Sequence, residues 1–250
     1  MRLCVCVPCF FPKLPLQEAI RKIAALGYDA AELWGWEGLD VEAVRAAMAE
    51  TGLELLSMCT AEFRMTDSAF RQVWLEGLER SRRMARQLGV KKLITQGGPD
   101  TGAPRQLQHD AIVTTLKAAA PILEAYGITV MIEPLNVLVD HAGYYLTTAR
   151  EGFEIIREVG HPLVKLVYDI YHQQVTEGNI LPSILGNLDC IAHLHGAGHP
   201  GRKELQLGEN NYRVIFEAID RAGYGGACGL EYHPSLPPEE SLKTAISLFG

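Results

Sequence analysis

The sequence predicts an α/β protein, a (β/α)8 TIM barrel that residues 1–250 form as a single domain. Short apolar runs alternate eight times with longer runs of helical periodicity, and no long linker or low-complexity stretch interrupts them. This alternation favours parallel strands joined by right-handed crossovers, and eight such units are the usual content of a barrel of about 250 residues. A doubly wound open sheet is the alternative, but no glycine-rich nucleotide motif follows the first strand.

In the amino-terminal half, glycines and one capping residue set the predicted boundaries. The predicted strands are Leu3–Val7, Tyr28–Leu33, Leu53–Met58 and Lys92–Thr95, and the predicted helices are Leu16–Leu26, Val41–Glu50, Phe70–Leu88 and Leu107–Tyr126. A glycine follows each helix, which is typical of a helix C-terminus. Asp40 is the expected N-cap of the second helix, because its carboxylate can accept a hydrogen bond from a free backbone N–H.

In the carboxyl-terminal half, the strand runs are apolar on both faces, as expected for a parallel sheet covered by helices. The predicted strands are Thr129–Glu133, Val164–Asp169, Ile191–His195 and Ala227–Tyr232. The predicted helices are Thr148–Val159, Ile180–Leu188, Tyr212–Ala222 and Glu239–Phe249. In a closed barrel, side chains alternate between the interior and the helices along each strand.

Composition excludes some classes of function. The net charge of −7 argues against an extended nucleic-acid surface, and no apolar run approaches the ~18 residues of a membrane span. The apolar run Met1–Phe11 is short and contains Pro8, so a first strand is expected rather than a signal peptide. Most of the six cysteines fall in predicted strands or directly beside them, which is typical of buried thiols in a reducing cytoplasm. A homo-oligomer is compatible with the sequence.

Each of the last four predicted strands ends in a potential metal ligand. Glu133, Asp169, His195 and Glu231 occupy these positions, and His172 follows Asp169 on what is expected to be the next loop. Carboxyl ends of barrel strands meet at one face, where active sites of this fold lie. Three carboxylates and one imidazole suit one divalent ion such as Mn, Mg or Co. Zn is a further candidate, although no thiolate is expected among the ligands.

Several of these segments together resemble a known family, hydroxypyruvate isomerase, and more widely the xylose isomerase-like TIM barrels, which include ketose 3-epimerases and inositol-pathway isomerases. The resemblance is densest between Thr129 and Tyr232. It is carried by Glu133-Pro-Leu-Asn136, Tyr168-Asp-Ile-Tyr-His172, Pro200-Gly-Arg202, Gly208-Glu-Asn-Asn-Tyr212 and Gly229-Leu-Glu-Tyr232, with Ala31-Glu-Leu-Trp34 as a weaker match.

The resemblance implies that Glu133, Asp169, His195 and Glu231 bind the metal, and that His172 and Arg202 bind the substrate. Hydroxypyruvate isomerases often carry Gln at the position of His195, whereas His is typical of the epimerases and inositol-pathway relatives. Both substrate classes therefore stay open. A metal-dependent abasic-site nuclease shares the barrel, but it would need a multinuclear ligand set and a basic groove.

The function expected from these residues is isomerisation of a small hydroxy-oxo acid, such as hydroxypyruvate, by proton transfer through an ene-diolate. Glu133 and Glu231 come from different strands, so they can flank a substrate and move its proton. Arg202 can take a substrate carboxylate through two parallel hydrogen bonds. His193 is expected beneath His195 as a buried, hydrogen-bonded histidine. Trp34 and Trp36 are expected as either cavity walls or core packing.

Overall fold

The computed structural model describes residues 1–250 and contains eight parallel strands that close into a barrel in chain order. The strands are β1 (Arg2–Cys6), β2 (Ala30–Leu33), β3 (Glu54–Cys59), β4 (Lys92–Gln96), β5 (Thr129–Glu133), β6 (Val164–Asp169), β7 (Ile191–Gly196) and β8 (Ala227–Leu230). The predicted (β/α)8 barrel is confirmed, and the open-sheet alternative is wrong because β1 pairs with β8, from Arg2 opposite Ala227 to Val5 opposite Leu230.

Helices surround the barrel. They are α1 (Val7–Phe10), α2 (Leu16–Ala25), α3 (Val41–Thr51), α4 (Arg71–Leu88), α5 (Arg105–Ala118), α6 (Ala120–Glu124), α7 (Ala149–Val159), α8 (Ile170–Thr176), α9 (Ile180–Leu185), α10 (Tyr212–Arg221) and α11 (Pro238–Phe249). The expected N-cap is present, since Asp40 Oδ1 accepts a 3.0 Å hydrogen bond from the N–H of Ala43. No helix is long and apolar enough to cross a membrane.

Helix α1 was not predicted and begins at Val7, the expected last residue of the first strand, and three further departures concern longer elements or the site. The expected helix Leu107–Tyr126 is divided into α5 and α6, because Pro121 lacks the N–H that would continue α5. The last strand ends at Leu230, so Glu231 directly follows β8. The short helix α8, which begins straight after β6, occupies what was expected to be a loop.

Two apolar regions lie on opposite sides of the sheet. The larger one fills the space between strands and helices and contains Val130 and Ile132 of β5. A small one inside the barrel contains Met131 together with Ile94 and Val167. The alternation along β5 therefore directs Met131 and Glu133 to the interior, with the glutamate at the carboxyl end of the strand. Met131 thus lies one layer beneath Glu133, which is at the mouth of the barrel.

Candidate functional site

Polar side chains from the last four strands meet at the carboxyl-end mouth of the barrel. Asp169 on β6 pairs with His195 on β7, and His195 pairs in turn with Gly229 on β8. The N–H of Glu231 donates to the carbonyl oxygen of Gly196 at 3.2 Å, which holds Glu231 beside the end of β7. Glu133 ends β5 and, like the others, is buried. Parallel register thus brings residues that are 26 to 98 positions apart in the chain to one face.

Three of these side chains, Glu133, Asp169 and Glu231, form what we call the acid cluster. One carboxylate oxygen from each, together with one ring nitrogen of His172, lies within 4.8 Å of the other three. His195 contacts the same cluster, since its Nδ1 is 3.1 Å from Glu133 Oε1 and 3.4 Å from Glu231 Oε2. The structure therefore brings together all four predicted metal-ligand residues, with His172 as a close neighbour.

His172 lies in helix α8, not in a loop as the sequence indicated. Asp169 begins that helix as its N-cap, because its Oδ1 accepts from the N–H groups of Tyr171 at 2.7 Å and His172 at 3.3 Å. The signal was present in the sequence, since Asp is a preferred capping residue. The apolar residues around Asp169 instead favoured a strand that continues to Asp169 and a loop that follows it. The first turn of a helix fixes the imidazole more firmly than a loop would.

The tautomer of His172 follows from its neighbour Asn136. Asn136 Oδ1 accepts from the N–H groups of Val139 at 3.0 Å and Asp140 at 3.3 Å, which fixes the orientation of the amide. Asn136 Nδ2 therefore donates to His172 Nδ1 at 2.7 Å, and the proton of the neutral ring lies on Nε2. Burial lowers the pKa of His172 to about 4, so the ring is neutral near pH 7. His172 Nε2 is buried without a hydrogen-bond partner and is a donor directed toward the acid cluster.

Arg202 reaches the cluster from the loop after β7. Its Nη2 donates to Glu231 Oε2 at 2.7 Å, and its Nε donates to the carbonyl oxygen of Glu231 at 3.3 Å. Its Nη1 lies 4.0 Å from Asp140 Oδ1. Arg202 has a left-handed backbone conformation, with φ of 52°. Glu231 thus binds the side of the guanidinium that carries Nε and Nη2, while the outer end of the group faces the cavity.

The two glutamates of the cluster have different acidities because their surroundings differ. Burial, reinforced by the charges of Glu231 and Asp169, raises the pKa of Glu133 to about 7. Burial also acts on Glu231, but the attraction of His195 and Arg202 outweighs it and lowers the pKa of this carboxyl. Glu231 Oε1 additionally accepts from Trp34 Nε1 at 2.7 Å. Glu231 is therefore ionised and held by donors, whereas Glu133 exchanges a proton near neutral pH.

A cavity of about 560 Å³ opens above the cluster. Five of the six predicted site residues line it, and Asp169 lies beneath them. Both tryptophans, Trp34 and Trp36, are cavity walls, which decides between the two alternatives left by the sequence. The volume fits a small metabolite, because ligand pockets typically measure about 300–1,000 Å³.

The donor set fits a divalent cation. Three buried carboxylates within 4.8 Å of one another repel each other strongly unless protons or a cation lie between them. His195 and Arg202 are the positive groups nearby, and both contact the Oε2 atom of Glu231, whereas no Lys or Arg side chain pairs with Glu133 or Asp169. Oxygen-rich sites with one imidazole suit Mg, Mn, Co or Zn. His172 is less suited as a ligand, because its Nε2 carries the proton.

One buried acid near the site was not singled out from the sequence. Glu32 on β2 lies against the two histidines of β7, with its Oε2 at 2.9 Å from His193 Nε2 and its Oε1 at 3.2 Å from His195 Nε2. An isolated glutamate within the apolar run Ala30–Leu33 was the available signal. His193 lies one layer below His195, as the spacing predicted, with ring centroids 5.1 Å apart.

The sequence of this chain is similar to those of known proteins. Residues 20–249 match a family model described as the xylose isomerase-like TIM barrel. The hydroxypyruvate isomerase of Escherichia coli (strain K12) is 36% identical over 169 residues, which cover 67% of this chain and 65% of that protein. The 2-oxo-tetronate isomerase of Cupriavidus necator is 33% identical over 189 residues, which cover 75% and 68%.

Solved structures share the fold over the whole chain. A structure described as an AP endonuclease, family 2, from Brucella melitensis superimposes with a TM-score of 0.93 at 23% identity, covering 100% of this chain and 99% of that chain. D-psicose 3-epimerase from Clostridium cellulolyticum superimposes with a TM-score of 0.82 at 20% identity, covering 99% and 98%. At these identities the likeness supports the barrel and not a particular reaction.

Proposed function

This chain belongs to the xylose isomerase-like TIM barrel family, and from that premise we propose that it is a divalent-metal-dependent isomerase of a small hydroxy-oxo acid, of the hydroxypyruvate to tartronate semialdehyde type. In this proposal residues 1–250 act as one domain in the cytoplasm, and the substrate is a small molecule. The relatives named for hydroxypyruvate and 2-oxo-tetronate isomerisation share a small oxo acid as substrate. The observation that carries the proposal is the convergence of Glu133, Glu231 and Arg202 in one cavity.

Glu133, Asp169, His195 and Glu231 would hold the divalent ion, with Mn, Mg or Co preferred because the donors are mostly oxygen, and with Zn as a further candidate. When bound, such an ion polarises a carbonyl group and acidifies the neighbouring C–H. Asp169 is suited to a purely binding function, since its Oδ1 already caps α8 and its Oδ2 faces the cluster.

Proton transfer would use the two glutamates. An isomerisation through an ene-diolate needs one group to remove a proton from one carbon and the same or another group to return it to the next carbon. Glu133 and Glu231 come from β5 and from the end of β8, so they reach a substrate in the cavity from different directions. His172 would donate its Nε2–H to the developing oxyanion, because the bond from Asn136 to Nδ1 fixes that tautomer.

Arg202 would select the substrate. Its outer end can take a carboxylate through two parallel N–H···O bonds, which a neutral sugar hydroxyl cannot match. A contact of this kind contributes about 2–3 kcal/mol net, or roughly 30- to 150-fold in specificity. The same guanidinium contacts Glu231 at 2.7 Å, so carboxylate recognition and proton transfer would be adjacent.

The alternative is a ketose 3-epimerase or an inositol-pathway keto-sugar isomerase. His195 favours it, since the resemblance assigns His at this position to those enzymes and Gln to hydroxypyruvate isomerases. The same metal and the same two glutamates would serve that reaction, with the proton returned to the opposite face of the original carbon. A metal-dependent abasic-site nuclease is less favoured, because a net charge of −7 does not suit a DNA groove.

The test combines metal analysis with a substrate panel. The purified protein is expected to bind one divalent ion per chain and to act on hydroxypyruvate or 2-oxo-tetronate with higher kcat/KM than on fructose or psicose. Arg202→Ala is expected to lower kcat/KM for the oxo acid by roughly 30- to 150-fold and for ketoses much less. Arg213→Ala, on the exposed face of α10, is the matched control. Efficient epimerisation of neutral ketoses with no reaction of hydroxypyruvate would overturn the oxo-acid proposal.

A further inference from the structure

Glu32 is a buried carboxylate that the proposed reaction does not use. It lies on β2 at 1% exposure, inside the barrel and next to the acid cluster. Its Oε2 accepts from Ser57 Oγ at 2.8 Å and is 2.9 Å from His193 Nε2. Strand β8, which β1 separates from β2, makes room for Glu32, since a Cβ at Gly229 would collide with Glu32 Oε1. An unpaired buried carboxylate is costly, so its surroundings need an explanation.

The second oxygen of Glu32 faces a ring edge of His195. Glu32 Oε1 and His195 Nε2 are 3.2 Å apart, both are buried, and neither has a hydrogen-bond partner. Leaving two such atoms unpaired would cost about 1–3 kcal/mol each. With Glu32 ionised, they are complementary when Nε2 carries a proton that Oε1 accepts.

The other ring nitrogen of His195 has a different environment. His195 Nδ1 faces the acid cluster, at 3.1 Å from Glu133 Oε1 and 3.4 Å from Glu231 Oε2. The ring thus lies between two sets of carboxylates, with Glu32 on one edge and the proposed ligands on the other. Only an imidazole with its proton on Nε2 can present a lone pair on Nδ1 to a cation.

We propose that Glu32 is a positioning residue that holds the proton of His195 on Nε2 and thereby directs the Nδ1 lone pair to the divalent ion. This inference rests on the proposed function, because it assumes that His195 is a metal ligand. Carboxylates that accept from the far nitrogen of a ligand histidine fix its tautomer and orientation and raise its basicity. Ser57 and His193 would hold Glu32 in turn through its Oε2.

A second metal ion bound by Glu32, His193 and His195 is the competing explanation, because these three residues also lie within ligand distance of one another. The hydrogen-bond geometry between His193 Nε2 and Glu32 Oε2 argues against it. At 2.9 Å along the N–H direction these atoms are too close for an ion between them, which would need about 2 Å on each side. Ser57 donates to the same oxygen.

The affinity test compares two variants around the same carboxylate. Mn²⁺ affinity is measured by chelator competition for the wild type, Glu32→Gln and Ser57→Ala, and thermal unfolding of the metal-free proteins shows whether each variant folds. Glu32→Gln is expected to weaken Mn²⁺ binding by about 10- to 100-fold. Ser57→Ala removes a hydrogen-bond partner of Glu32 but keeps the charge of Glu32, so it is expected to change Mn²⁺ affinity far less. Equal affinity of Glu32→Gln and wild type would overturn the inference.

A spectroscopic test on the wild type does not depend on the folding of any variant. In Mg²⁺- or Zn²⁺-loaded protein labelled with ¹⁵N-histidine, NMR is expected to show a protonated Nε2 and a metal-bound Nδ1 for His195. A proton on Nδ1, or two ions per chain, would overturn the positioning of His195 by Glu32 while leaving the proposed isomerase intact. A wild type that binds no divalent ion would overturn both.

Discussion

Glu204 and Glu133 are both buried glutamates at the carboxyl-end face of the barrel, yet their surroundings are opposite. Glu204 accepts from the N–H and Oγ of Ser235, both at 2.8 Å, from the N–H of Leu236 at 3.3 Å and from Ser241 Oγ at 3.0 Å. Glu133 has one hydrogen-bond partner, His195 Nδ1. Burial alone therefore does not decide whether a buried glutamate is ionised at neutral pH; the donors around its carboxylate decide as well.

The acidities of the two glutamates follow from this difference. Burial tends to raise the pKa of Glu204, but hydrogen bonds from the backbone and from Ser235 outweigh it and lower the pKa below its usual value. Burial dominates at Glu133 and raises its pKa to about 7. Glu204 joins the loop after β7 to the loop after β8 and remains ionised. Of Glu204 and Glu133, only Glu133 can exchange a proton near neutral pH.

The largest expected effect is on turnover. Glu133→Gln and Glu231→Gln should each lower kcat by on the order of 10³-fold at saturating Mn²⁺, since an amide cannot accept the substrate proton. Metal-free Glu133→Gln should unfold at or above the wild-type temperature, because it removes one charge from a crowded cluster, whereas Glu231→Gln should unfold at a lower temperature, because it removes the buried partner of Arg202. Steady-state kinetics and thermal unfolding provide the measurements. Normal turnover in either variant would show that its carboxylate carries no proton.

A smaller effect is expected at Asp169. Asp169→Asn keeps an oxygen that can cap α8, so the helix and His172 should stay in place. The loss of charge should weaken Mn²⁺ binding by roughly 10- to 100-fold, and activity should partly return with excess Mn²⁺. Titration of activity with Mn²⁺ measures both effects. Activity that excess Mn²⁺ does not restore would indicate that Asp169 acts in the reaction itself.

The sequence predicted the barrel and the position of the acid cluster because both depend on local patterns. The alternation of strands and helices specifies a parallel sheet, and a polar residue at the end of a buried strand is visible along the chain, as for Glu133 and Asp169. Residues that end neighbouring parallel strands must lie together once the barrel closes. The structure then brought these residues within a few ångströms of one another.

Features that depend on packing between distant segments were not predictable. Nothing near Glu32 in the sequence indicates that His193 and His195, more than 160 positions away, lie against its carboxylate. The helix that carries His172 begins within an apolar run, where strand and helix patterns cannot be separated. The hydrogen bonds to Glu204 were not predictable either, because their donors lie in a different segment of the chain, the one after β8.

Stability should change more at Glu204 than at Glu133. Glu204→Gln replaces one acceptor oxygen by an NH₂ group that faces the donors of Ser235 or Ser241, so it should cost about 2 kcal/mol, or about 4–8 °C in Tm. Mn²⁺ affinity should stay close to that of the wild type. Calorimetry with chelator competition measures both. A variant with unchanged Tm and weakened Mn²⁺ binding would assign Glu204 to the metal site instead of the loops.

The last expected effect is the pH dependence of Mn²⁺ affinity, to which Glu133 should contribute and Glu204 should not. Below its pKa of about 7, Glu133 holds a proton that a cation must displace. Burial lowers the pKa of His195, but the charges of Glu32, Glu231 and Glu133 outweigh this and raise it well above its usual value, so this ring also releases a proton. Mn²⁺ affinity should therefore fall as pH falls, by about tenfold per pH unit for each proton displaced.

Chelator competition from about pH 6 to about pH 8 measures this slope, and Glu133→Gln should remove the contribution of Glu133. Glu204 should not contribute in this range, because its pKa is lowered. Its contribution to stability is complete above the unfolded-state value of about 4.3 and is lost only as pH falls through the lower folded-state value. An Mn²⁺ affinity that is independent of pH near neutrality would mean that Glu133 is already ionised. The contrast between the two glutamates would then have to rest on their hydrogen bonds alone.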